Sequence, residues 1–152
     1  MEMLHNISPI TKASVNLMAN FYRGDGFENG DLEVNAKGET ANDVLFSISQ
    51  DLALFQGFAI LVNGNGLGSA ISIEHIPFDY VRLGIPNQSG RISYCRVSNN
   101  WEGINEMKLP QDLRTSKRYR LYNPQTMAQD AISGRGQVFY YSPKKNSYPL
   151  SS

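Results

Sequence analysis

Few side chains in this 152-residue chain are suited to nucleophilic chemistry. The chain has one cysteine, Cys95, and two histidines, His5 and His75. The surrounding apolar residues place Cys95 and His75 on strands, and a thiol beside an imidazole is a common nucleophile. One hypothesis is therefore a small α+β ligand-binding or hydrolytic domain that uses Cys95 and His75. No signature sequence and no oxyanion-stabilising turn accompanies the pair, and a lone cysteine is more often a small core residue.

The sequence offers no pattern for a metal or a nucleotide. No cysteine or histidine pair has the spacing of zinc ligands, and the acids of residues 25–33 do not keep the register of a calcium loop. The run from Gly64 to Gly68 follows a strand, as a dinucleotide-binding loop would. However, Ser69 stands where the third glycine is required, and alternating isoleucines follow instead of a helix. We therefore predict a hairpin turn here, and no catalytic, cofactor-binding or metal-binding residues in the chain.

The charges balance overall but are unevenly distributed. Fourteen basic and fourteen acidic residues argue against a protein that binds nucleic acid mainly by neutralising phosphates. Residues 25–51 contain seven acids and one base, whereas residues 82–120 contain eight bases and three acids. Such segments can attract each other between two copies of the chain, or they can neutralise each other within one fold. The sequence leaves both interpretations open.

Aromatic and basic residues are interleaved in the last third of the chain. This combination can bind single-stranded nucleic acid, but it is also frequent in cores and at protein interfaces. We favour a core or interface role. The aromatic residues are Tyr119, Tyr122, Phe139, Tyr140, Tyr141 and Tyr148.

Helical signals dominate the first part of the chain. Ser8 and Pro9 begin an amphipathic helix that is predicted to run to Tyr22. A second helix is predicted from Thr40 to Gln56, with Thr40 and Asp43 forming a capping box and Gly57 following its end.

Strand signals follow Gly57. Strands are predicted at residues 58–62, 70–76, 80–83, 91–97 and 138–141, with an Asn-Gly-Asn-Gly turn joining the first two and a short helical or turn segment at residues 124–132. The sequence thus predicts one α+β domain over residues 1–152, in which two N-terminal amphipathic helices precede a mainly antiparallel sheet with a central β-hairpin. No apolar run is long enough to span a membrane. The single cysteine fits a reducing compartment.

Several of these segments, in this order, resemble portal proteins of tailed bacteriophages and of prophages. The early helix with Gly24-Asp25-Gly26-Phe27 is one of them. The stretch from Asp51 to Leu83 is a second such segment. It contains a helix that ends at a glycine, a tight hairpin and the Pro-Phe-Asp-Tyr-Val-Arg segment that follows the hairpin. The stretch from Tyr94 to Glu102, which contains Trp101, is a third. The segment from Gly136 to Pro149 looks like the family's continuation.

The resemblance implies a structural protein without a catalytic residue. Portal subunits form a homo-oligomeric ring at one capsid vertex, contact the capsid and the terminase motor, and let DNA pass through the ring without sequence-specific binding. A location in the virion and in the cytoplasm of a bacterial host follows from it. Because portal proteins are several times longer, the resemblance implies an N-terminal or wing-like fragment, whose apolar faces are expected to be partly exposed.

Overall fold

The first element among the described residues is a helix that the sequence caps at its beginning. The computed structural model describes Gly26 and residues 28–101, 110 and 115–143. Helix α1 spans Ala41–Phe55. The Thr40 hydroxyl accepts a hydrogen bond from the Asp43 amide, and the Asp43 carboxylate accepts one from the Thr40 amide. These bonds satisfy amide groups that have no partner inside the helix, so the predicted capping box is confirmed.

Six strands form a single sheet. Its order is β2-β1-β6-β5-β4-β3, and a short helix, α2, lies between β5 and β6 in the chain. Neighbouring strands run antiparallel except β5 and β6, which run parallel. The bounds are β1 Phe58–Gly64, β2 Ala70–Ile76, β3 Val81–Leu83, β4 Tyr94–Val97, β5 Lys117–Leu121, α2 Met127–Ile132 and β6 Gln137–Tyr141, with a 3₁₀ turn at Phe78–Tyr80.

The predicted fold class is wrong in three respects. The sheet is mixed, the β1–β2 hairpin lies at its edge instead of its centre, and among the described residues only α1 precedes the sheet. The predicted helix Ser8–Tyr22 lies outside the described residues. The error arises at β5, whose Lys-Arg-Tyr-Arg-Leu sequence lacks an apolar alternation. Its connection through α2 to β6 provides the long crossover that parallel neighbours need.

The strand register sorts the side chains onto two faces of the sheet. The core face carries the main apolar cluster, in which Ala59, Cys95 and Val138 are fully buried. The helix face is so named because both helices contact it. Asp51 of α1 reaches His75 on this face, and Asp130 of α2 reaches Gln137. Within the described ranges, no helix is long and apolar enough to cross a membrane.

Gln137 fixes α2 to the sheet. Its buried amide nitrogen donates to Asp130 Oδ2 at 2.7 Å and to Thr126 Oγ1 at 2.9 Å, and its oxygen accepts from the Asn123 amide at 2.9 Å. Because Gln137→Leu leaves these groups without their partner, we expect it to lower the free energy of unfolding by about 1–3 kcal/mol. Urea unfolding measures this loss. The exposed Gln129→Leu serves as control, and an equal effect of both substitutions would contradict the assignment.

Candidate interaction surface

Cys95 and His75 do not meet in the structure. His75 lies on edge strand β2 and Cys95 on β4, with three strands between them. Four strand spacings correspond to about 19 Å. The register also places His75 on the helix face and Cys95 on the core face. The two side chains therefore cannot form the nucleophile and base pair that the sequence suggested as one hypothesis.

Cys95 is a core residue with a protected thiol. Its side chain is fully buried, and this burial raises the pKa of the Cys95 thiol to about 12. We expect iodoacetamide at pH 8 to modify Cys95 in the folded protein at least about 1,000-fold more slowly than in the urea-unfolded protein, because little thiolate forms. Mass spectrometry follows the reaction. Modification of the folded protein at the rate of a free cysteine would contradict the assignment.

His75 instead contacts a buried carboxylate. Asp51 Oδ2 lies 2.6 Å from His75 Nε2 and accepts a hydrogen bond from the Phe78 amide at 3.1 Å. Burial raises the pKa of Asp51, and the hydrogen bond from His75 partly offsets this effect. Asp51 thus joins α1, β2 and the following 3₁₀ turn. Among the described residues, no three His, Cys, Asp or Glu side chains lie close enough to hold a metal ion together.

Arginines form a row across three strands of the helix face. Arg82, Arg96 and Arg118 are direct register partners on β3, β4 and β5. Like charges placed opposite each other on a sheet are destabilising, so the row needs compensation. Two contacts provide part of this compensation. Arg96 Nε donates to the Ser116 hydroxyl at 2.9 Å, and the Arg118 guanidinium lies 4.1 Å from the centre of the Tyr94 ring.

Beside this row is a cleft of about 640 Å³ with a strongly basic lining. It exists because β5 pairs with β6 only at Arg120 and Leu121, so the beginning of β5 extends past the beginning of β6. One acid, Asp130, is among the lining residues, and it lies 3.5 Å from Arg120. We call this region the basic cleft; its bases are Arg96, Lys117, Arg118, Arg120 and Arg135.

Exposed acids lie near the opposite edge of the sheet. Glu28, Asp31 and Glu33 are exposed, and we call them the acidic segment. The chain that follows them pairs with the outer edge of the sheet, since the Ile73 amide of β2 donates to the Val34 carbonyl at 2.9 Å. Of the ion pairs between described residues, none joins the acidic segment to the basic cleft.

Aromatic side chains also cluster on the helix face. Phe58 lies 5.5 Å from Tyr141 and 6.0 Å from Phe139, measured between ring centres, and Tyr122 lies 6.1 Å from Phe139. Phe139, Tyr141 and Tyr122 are each more than a third exposed. Exposed aromatic surface of this kind is typical of protein interfaces.

The basic row illustrates what the sequence alone did not reveal. The sequence shows how many bases there are, but their common face depends on strand β5 and its register. Arg118 and Arg120 do have the i, i+2 spacing of one strand face, which was the available signal.

Comparison with protein-family models, with curated proteins and with solved structures finds no match.

Proposed function

We propose that this chain is a structural assembly subunit, part of a portal-like protein of a tailed bacteriophage or prophage. The observation that carries the proposal is that segments with the portal-like sequence pattern, far apart in the chain, contact one another in the fold. In this role the full protein forms a ring at one capsid vertex, next to the capsid and the packaging motor, and DNA passes through the ring.

The first set of contacts surrounds the end of α1. Asp51, at the beginning of the portal-like stretch, bonds to His75 and to the amide of Phe78 near its end. The Phe78 ring then packs on Tyr140 of β6, with 5.2 Å between ring centres. Gly57 lies so close to this pair that a Cβ atom would approach the Phe78 ring to 2.6 Å. The Gly-ended helix and the aromatic strand β6 therefore depend on each other.

The second set of contacts involves Trp101. Its indole nitrogen donates to the Tyr80 carbonyl at 2.9 Å, and the Arg82 guanidinium lies 5.5 Å from the centre of its ring. Tyr80 and Arg82 belong to the Pro-Phe-Asp-Tyr-Val-Arg segment, whereas Trp101 belongs to the third portal-like stretch. In these contacts the residues of the resemblance support one another structurally, which is what a scaffold subunit requires.

The proposal is tested on particles released from the host that encodes the gene. We expect peptides of this chain in purified particles at a low, constant ratio to the major capsid protein, because a ring occupies one vertex. Quantitative mass spectrometry gives this ratio. The proposal is contradicted if the peptides are absent from particles, or as abundant as the capsid protein.

A further inference from the structure

We propose that the basic cleft is a docking site for the acidic segment of a second copy of this chain. This inference rests on the proposed assembly function and identifies the surfaces by which neighbouring copies meet. We identify the occupant from charge complementarity: five bases and one acid line the cleft, four of these bases are exposed, and the same chain carries exposed acids elsewhere.

The cleft is suited to carboxylates because its charged groups are partly fixed in position. Arg96 is only 3% exposed and its Nε donates to the Ser116 hydroxyl, so it adds positive charge to the lining without itself being exposed to a docking carboxylate. The Arg118 guanidinium lies against the Tyr94 ring, which limits its motion. Arginine guanidinium groups bind carboxylates with two parallel hydrogen bonds, and groups held in place lose less entropy when they bind. Lys117 and Arg135 add exposed positive charge at the rim.

The positions of the two regions favour contact between copies over contact within one. The acidic segment precedes the chain beside β2, at one edge of the sheet, whereas the basic cleft borders β5, which lies three strands away. Three strand spacings correspond to about 14 Å. Such an arrangement uses two different surfaces of one subunit, so the contact is head-to-tail. Head-to-tail contacts generate rings when the rotation closes.

Sedimentation velocity of charge-reversed variants tests the inference. We expect the native chain to self-associate at low salt, about 20 mM, and to do so less at about 500 mM, because salt screens exposed charges. Lys117→Glu with Arg135→Glu alters the rim of the cleft, and Asp31→Lys with Glu33→Lys alters the acidic segment. Each pair is expected to raise the dissociation constant at least about 10-fold. Arg91→Glu, an exposed base outside the basic cleft, is the matched control and should leave association unchanged.

Two recombinations make the test specific for a head-to-tail contact. A chain that carries both pairs of reversals regains charge complementarity, so it should associate like the native chain. An equal mixture of the two forms, each carrying one reversed pair, offers two complementary contacts between unlike partners, so it should associate although neither form associates alone. Circular dichroism shows whether each variant is folded. Recovery of association in the chain with both pairs of reversals shows in addition that neither pair acts by unfolding it.

Three results would overturn the inference. The first is a native chain that stays monomeric at every salt concentration. The second is association that the reversals do not change; in that case assembly, and with it the proposed function, stands without this surface. The third is binding of a fluorescent single-stranded oligonucleotide that the cleft reversals abolish while self-association persists. Absence of the chain from particles, in contrast, would count against the proposed function and not against the measured contact.

Discussion

Asp51→Ala is expected to lower the free energy of unfolding by about 2–5 kcal/mol, because each group that loses its hydrogen-bond partner costs about 1–3 kcal/mol and the lost side chain adds a cavity. The carboxylate is fully buried and serves both the His75 ring and the Phe78 amide. Its loss leaves the half-buried His75 ring and the buried Phe78 amide without this partner and creates a cavity. Urea or thermal unfolding measures the change. Gln50→Ala, next to it in the same helix, is the control and should cost less than about 1 kcal/mol.

Asp51→Asn separates the role of the charge from that of the hydrogen bonds. The amide oxygen can still accept from Phe78, so a smaller loss than with alanine is expected. An equal loss for both substitutions would show that the oxygen has no role.

The difference in stability between the native protein and Asp51→Asn is expected to depend on pH, because burial raises the pKa of Asp51. A carboxyl group with a folded pKa above its unfolded value near 3.8 binds its proton more tightly in the folded state. Its contribution to stability is complete below the unfolded pKa and is lost as the pH rises through the folded pKa. The native protein should therefore gain stability relative to Asp51→Asn as the pH falls toward 4. A stability difference that stays constant, or that changes in the opposite direction, would contradict a raised pKa of Asp51.

Gly57→Ala is expected to destabilise the fold by about 1–3 kcal/mol through overpacking. An added Cβ would lie 2.6 Å from the Phe78 ring and 2.7 Å from the Tyr141 carbonyl oxygen. The ring can turn, but the carbonyl belongs to strand β6 and cannot move without disturbing its pairing with β1. Unfolding by urea measures the loss.

Gly66→Ala provides the matched control. It introduces the same methyl group in the β1–β2 turn, where the nearest atom, on Ile132, is 3.9 Å away. We expect a change within about 0.5 kcal/mol. Similar losses at Gly57 and Gly66 would mean that backbone freedom, and not the contact with Phe78, explains the effect.

Local signals in the sequence predicted the elements that local interactions determine. The capping box at Thr40 and Asp43 lies within one helical turn, and the hairpin follows from its Asn-Gly-Asn-Gly turn. Strand β1 is an apolar run. In each case neighbouring residues alone contain the information, and the structure confirms helix α1 and the antiparallel β1–β2 pair.

Features that depend on distant residues were not predicted. Strand β5 carries three bases, and its strand character comes from pairing with β4 and β6. Asp51 lies seven residues after Val44 on the buried side of α1, so its spacing was a usable signal, but its partners come from β2 and the 3₁₀ turn. The basic row needs the register of three strands at once. For the same reason the Cys95 and His75 hypothesis failed, because strand order cannot be read from two residues.

The most direct test of the assembly account is the position of this polypeptide on a particle. Antibodies against residues 115–143, coupled to gold, would be applied to particles opened at low salt and viewed by electron microscopy. If the chain is part of a portal-like ring, label is expected at a single vertex of each particle. Label spread over the whole capsid surface, or no label on any particle, would contradict it.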